Sequence, residues 1–280
     1  AMVERADAAG FNTVIVQVRG RGDAYYADAL EPRPDVLAGT PEGFDPLALV
    51  LEEAHARGIA VHAWLNTHLV ADAGSLPDDP RHLVHARPDL LAVPRPLARR
   101  LYHTSPYDPA YVAALRRHAV ANRATVEGLY TNPAHPDVRD RIHDVWMDVA
   151  RRYPVDGMHF DYVRYPGPGY DYSRASLDAF RRWARPRVGA ARAARLDAAA
   201  ASDLLAWVQA LPGEFDRFRR EQITTLVERI HRDVKSVRPE LVVSAAVFAD
   251  PVDAREGRYQ DWGGWLRRGL VDVVAPMAYS

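Results

Sequence analysis

The chain has 280 residues, 48% hydrophobic and 26% charged, which is enough apolar material for a large core and excludes compositional disorder. Its formal net charge of -1 supplies no long-range field for nucleic acid or anionic lipid, so neither is an expected partner. The lack of cysteine excludes disulfides, thiolate metal sites and cysteine nucleophiles while leaving the compartment open, and no apolar run approaches the roughly 18 residues needed to span a bilayer.

In chain order, residues 1–10 read as a helix rather than a signal peptide. The β-branched run 13–18 reads as a strand, and Asp45-Pro46 opens a helix striped by Leu47, Val50, Leu51 and Ala54 and ended by Gly58. Residues 59–65 form the next expected strand. An insertion from about 70 to 133 follows, rich in proline, histidine and arginine with weak periodicity, and its length marks a functional loop. Val138, Ile142, Val145, Trp146 and Val149 stripe a helix leading into a strand at 157–161. A second insertion, from about 165 to 211, carries a helical excursion over 184–201. Phe215, Phe218, Leu226, Val227, Ile230 and Val234 stripe a helix before a strand at 241–248, and a short helix closing at 265–268 precedes a last strand at 271–275.

Five strands alternating with helices imply a parallel sheet with right-handed crossovers in one domain, residues 1–280, with no internal repeat or linker. A helix comes first without a strand before it, and a strand comes last without a helix after it. An eight-stranded barrel would need one more strand ahead of residue 1 and two more after residue 280, whereas an open doubly wound sheet would need none. Periodicity alone does not separate the two.

The richest stretch is 156–166, Asp-Gly-Met-His-Phe-Asp-Tyr-Val-Arg-Tyr-Pro. Strand alternation puts His159 and Asp161 on one face and Met158 and Phe160 on the other, with Asp161 at the carboxyl end where α/β folds place their ligands. The histidines show no close His-x-His or His-Glu-x-x-His spacing, so no metal is expected. No dinucleotide fingerprint, phosphate loop or serine elbow is present, so no cofactor is expected either.

Several blocks together resemble the glycosyl hydrolase-like family 10 proteins. They are Gln17-Val18-Arg19 with Gly22 to Tyr26, Phe44-Asp45-Pro46-Leu47, Glu53-Ala54-His55, Arg57-Gly58, Val61 to Asn66, the 156–166 stretch, Gln260-Asp261-Trp262 with Trp265-Leu266, and Asp272 to Tyr279. The resemblance implies an α/β (β/α)8 TIM barrel, truncated here by the absence of its first strand and its last two. It also implies an exported or envelope-attached, extracytoplasmic hydrolase of bacterial glycan strands, including peptidoglycan stripped of its peptides.

Glycoside hydrolysis needs a carboxyl group to protonate the leaving oxygen and a second group as nucleophile or water-activating base. Asp161 is the leading candidate for one of these roles, with acid or nucleophile unassigned; a stiffening ion pair with Arg164 or Arg19 is the competing reading. Asp23 is the first choice of partner, against a turn-capping role beside Gly22; Asp250, Asp253, a group on an absent strand or a substrate acetamido group are the alternatives. Gln17 and Arg19 share one strand face, as do His62, Trp64 and Asn66, and with His159, Arg164, Tyr165, Met277 and Tyr279 they are the expected sugar-binding set. Trp64, Tyr165, Trp262 and Tyr279 are candidate platforms for a sugar's C–H face, with core packing the stronger reading for Trp262. The expected function is metal-independent hydrolysis of O-glycosyl bonds in an envelope amino-sugar polysaccharide; the alternative is a catalytically inactive glycan-binding barrel. The oligomeric state is not legible.

Overall fold

The computed structural model describes residues 2–279; Ala1, the start of the expected first helix, and Ser280 lie outside the described residues. The strands are β1 (Thr13–Arg19), β2 (Ala60–Asn66), β3 (Leu69–Ala71), β4 (Leu129–Tyr130), β5 (Gly157–Asp161), β6 (Val242–Phe248) and β7 (Val273–Met277). Five of them form one parallel sheet in the order β1-β2-β5-β6-β7, while β3 and β4 pair antiparallel beside it. The five expected strands are those of the main sheet, each with ends moved by at most two residues.

The helices of six or more residues are α1 (Met2–Ala8), α2 (Pro46–His55), α3 (Pro109–Ala121), α4 (Pro136–Arg152), α5 (Arg174–Ala184), α6 (Ala190–Ala200), α7 (Pro212–Val237) and α8 (Trp262–Arg267). Helices α2, α3 and α4 start alike. Asp45, Asp108 or His135 accepts from a first-turn N–H, and a proline follows, where its missing N–H costs nothing.

The alternation expected of β5 holds. Met158 and Phe160 are fully buried, and Phe160 stacks on Trp146 of α4 with ring centroids 3.9 Å apart. The first insertion, expected from its length to be a functional loop, carries regular structure that its weak periodicity did not show: helix α3 and the β3–β4 ladder. Its weak periodicity follows from short elements packed on several sides, with Leu69, Val70, Ala71, Leu129 and Tyr130 all buried. The second insertion packs against the start of α7 in a second apolar cluster, where Phe180 meets Phe215 and Phe218. No helix of the described residues is long and apolar enough to cross a membrane.

Candidate active site

At the carboxyl ends of β1, β2, β5, β6 and β7 lies a cleft of 510 Å³. It is lined by the expected residues Gln17, Asp23, Trp64, Asn66, Asp161, Arg164, Met277 and Tyr279, together with Tyr25, Glu127, Tyr162 and Phe248. Two larger hollows, of 590 and 700 Å³, are lined by the insertions and lack strand-end side chains.

Parallel register assembles the cleft. Gln17 stands beside Trp64, and Asn66 beside Asp161, so residues distant in sequence share one level of the sheet. Trp64 Nε1 donates to Asn66 Oδ1 at 2.8 Å, which fixes the indole at the mouth. Asp161 ends β5 with 9% exposure, and its Oδ1 accepts from Tyr162 N at 2.6 Å. Tyr162 has a left-handed backbone, φ 50°, which costs energy in a bulky residue and turns the chain sharply as it leaves the strand.

Burial is the main influence on the Asp161 carboxyl and pushes its pKa up. The Tyr162 N–H and the Arg164 charge pull the other way, and the Glu127 charge adds to the rise. Neither arginine suggested as an ion-pair partner for Asp161 takes that role. Arg164 Nη2 meets Glu127 Oε1 at 3.2 Å, and Arg19 pairs with Glu31. Asp161 is therefore a carboxyl group biased toward holding its proton at the edge of an open cleft.

Four expected binding residues lie away from this cleft. Arg19 is the clearest correction. A bulge at Val18 advances β1 by two residues while β2 advances by one, so Gln17 pairs with Trp64 and Arg19 with Leu65. Gln17 and Arg19 thus part company, and Arg19 enters the core at 1% exposure, binding both Glu31 oxygens at 2.6 and 2.8 Å. His62 lies four residues below Asn66, about 13 Å deeper at the usual strand rise, with its ring against the bare Cα of Gly157. His159 occupies the level between and bonds Ser244 Oγ through Nδ1 at 2.8 Å; burial pushes its pKa down to about 4, so it is neutral. Tyr165 is fully enclosed and packs edge-on against Tyr259, so it presents no ring to a ligand.

Among the other candidates, Asp23 is at the mouth, but its Oδ1 accepts from Gly20 N and Arg21 N at 3.1 and 2.8 Å. Asp250 caps the turn after β6 by accepting from Val252 N and Asp253 N. Trp262 is tied to the Phe248 carbonyl through Nε1 at 3.1 Å and does not line the cleft.

Sequence reasoning missed Glu127, Tyr25, Tyr162 and Phe248. Glu127 sits near the end of the first insertion, where β4 brings it to the cleft; Tyr130 Oη donates to its Oε2 at 2.6 Å. The only signal available is a Glu-Gly pair ahead of a two-residue apolar strand, too short to carry a period. Among the described residues no three His, Asp or Glu side chains are arranged to hold a metal ion.

A parallel α/β sheet with a carboxylate-bearing cleft at its strand ends is the framework of the glycoside hydrolase barrels. The glycoside hydrolase domain of PgaB (BpsB) from Bordetella bronchiseptica superposes with a TM-score of 0.60 at 17% identity, covering 99% of this chain and 67% of that one. A beta-galactosidase from Bacillus circulans sp. alkalophilus gives 0.58 at 15% identity, covering 99% of this chain and 37% of that one. The fold is therefore that of a (β/α)8 barrel, of which the described residues build five strands.

The chain belongs to the glycosyl hydrolase-like 10 family, whose model matches residues 1–280. Glycosyl hydrolase DigH of Escherichia coli (strain K12) is 28% identical over 302 residues, covering all of this chain and 57% of that protein. Glycosyl hydrolase YngK of Bacillus subtilis (strain 168) is 24% identical over 300 residues, covering 96% of this chain and 46% of that protein. The chain spans about half the length of these curated relatives.

Proposed function

We propose that this protein is an extracytoplasmic, metal-independent glycoside hydrolase acting on an amino-sugar polysaccharide of the bacterial envelope, such as glycan strands of peptidoglycan freed of their peptides. The observation that carries this reading is Asp161: a desolvated carboxyl group with a raised pKa, at the carboxyl end of β5, in a cleft bordered by Trp64, Tyr25 and Tyr162. A carboxyl group that holds its proton more tightly than usual is suited to giving it to a glycosidic oxygen. The aromatic rings complement the C–H faces of a sugar, and Gln17 and Asn66 complement its hydroxyl rim. Family membership and the names of the relatives support the reaction class; the polymer and the location are inferred from the family resemblance. Glycan binding without turnover is the second reading, favoured by the commitment of Asp23 Oδ1 to its own turn.

The test is release of reducing ends from peptide-free peptidoglycan, poly-N-acetylglucosamine and its partly deacetylated form. We expect turnover of at least one polymer by the metal-chelated wild type and a loss of about 100-fold or more in Asp161→Asn. Retained binding with no turnover by the wild type would select the second reading, and an undiminished Asp161→Asn would remove Asp161 from the chemistry.

A further inference from the structure

Inverting hydrolysis requires a second group to take the proton that water gives up as it attacks, because the acid is donating its own proton in the same step. In retaining enzymes the acid itself later serves as that base. We propose that Glu127, carried into the cleft by the first insertion, is the water-activating base, held for that task by Tyr130 and Arg164. This role presupposes the hydrolase reading above and goes beyond it by naming the second carboxylate and the stereochemistry.

Glu127 and Asp161 line one cleft, and the charge of the first reaches the second. Both Glu127 oxygens are anchored: Tyr130 Oη donates to Oε2 at 2.6 Å, and Arg164 Nη2 to Oε1 at 3.2 Å. Both partners donate, as an acceptor carboxylate requires. The anchors are themselves buried. Tyr130 is 2% and Arg164 3% exposed, and the guanidinium carbon of Arg164 lies 4.5 Å from the Tyr162 ring centroid and 4.9 Å from that of Phe248. Nε and Nη1 of Arg164 have no hydrogen-bond partner, so Glu127 is the anion this buried cation serves among the described residues.

The two carboxyl groups also differ in environment, as acid and base must. Asp161 is nearly enclosed, whereas the Glu127 side chain is 41% exposed and open to water. Asp23, by comparison, spends an oxygen on backbone N–H groups and forms no ion pair among the described residues.

In the resulting step, a water oxygen bonds to the anomeric carbon as the bond from that carbon to the bridging oxygen breaks. The proton lost by water passes to Glu127, and the proton of Asp161 passes to the departing oxygen. One water is consumed, and solvent exchange restores both groups. Attack from the face opposite the leaving group inverts the anomeric configuration.

The test uses whichever polymer the wild-type protein cleaves. Glu127→Gln should lower kcat by about 100-fold or more with KM little changed. Asp250→Asn, which alters only the cap of the turn after β6 outside the cleft, should stay within about tenfold of wild type. Azide should revive Glu127→Ala, which lacks only the group that activates the nucleophile, and the product should be a glycosyl azide. NMR of fresh wild-type product should show inversion. Retention, a Glu127→Gln variant within threefold of wild type, or azide rescue of Asp23→Ala instead would overturn the assignment. A wild type that cleaves no polymer, or an unimpaired Asp161→Asn, would instead defeat the underlying hydrolase reading, and Glu127 with it.

Discussion

Arg19 and Arg164 are almost equally buried, yet they serve different ends. Arg164 opens onto the cleft through Glu127, whereas Arg19 closes a core network in which Glu31 also meets Arg141 Nε at 3.2 Å. Burial works to raise the Glu31 pKa, but Arg19 and Arg141 overcome it and hold the carboxyl below its usual range. Replacing Glu31 by Gln leaves the Arg19 charge enclosed without an anion. We expect a loss of about 3–5 kcal/mol, read by chemical unfolding, and a variant as stable as wild type would contradict the ion pair's role. Asp171 supplies a contrast with Asp161. Burial pushes its pKa up to about 6, but it is fully enclosed and accepts from Val93 N, Ser173 N and Ser173 Oγ. A raised carboxyl pKa therefore identifies a candidate acid only where an open surface accompanies it.

Small departures from regular strands aim the functional side chains. The bulge at Val18 sends Arg19 inward, and the left-handed turn at Tyr162 brings Tyr162 and Arg164 to the mouth. The β3–β4 ladder does the same for Glu127, and its tightest point is Gly128, where a Cβ would collide with the Ala71 carbonyl. Gly128→Ala should therefore cost about 1–3 kcal/mol and displace Glu127. Turnover should fall although Asp161 is untouched; a variant with wild-type melting temperature and activity would show that the ladder does not position the site.

The whole molecule carries an acid-sensitive set of histidines. Burial pushes the pKa of His68 down to about 3 and that of His159 to about 4, and it also lowers His62, His82, His118, His135 and His231. Below their unfolded value of 6.5 the unfolded chain binds these protons first, so stability present above that pH is lost as pH falls toward the folded values. Asp171 acts in the opposite sense. Its folded pKa is raised, so its contribution is full below 3.8 and is lost as pH rises through about 6. Asp161, whose carboxyl is also raised by burial, acts with Asp171, but the histidines outnumber the two, so calorimetry should show a melting temperature falling steadily from pH 7 to pH 4.5. A constant or rising midpoint would contradict their neutral burial.

At this scale the division between sequence and structure is plain. Alternation along β5, the helix-opening Asp45-Pro46 pair and the strand-helix order are local properties, set by backbone period and by which groups lack partners at a helix start. They determined the parallel sheet, its five strands and the location of Asp161 without any knowledge of contacts. Depth was not legible: His62, Trp64 and Asn66 share a face, but only register against β5 shows that His62 lies far below the opening. Nor was the reversal at Arg19, because a bulge is a relation between two strands. Tertiary structure alone brought Glu127 beside Arg164 across 37 residues of chain, since their attraction depends on distance in space and leaves no period in sequence.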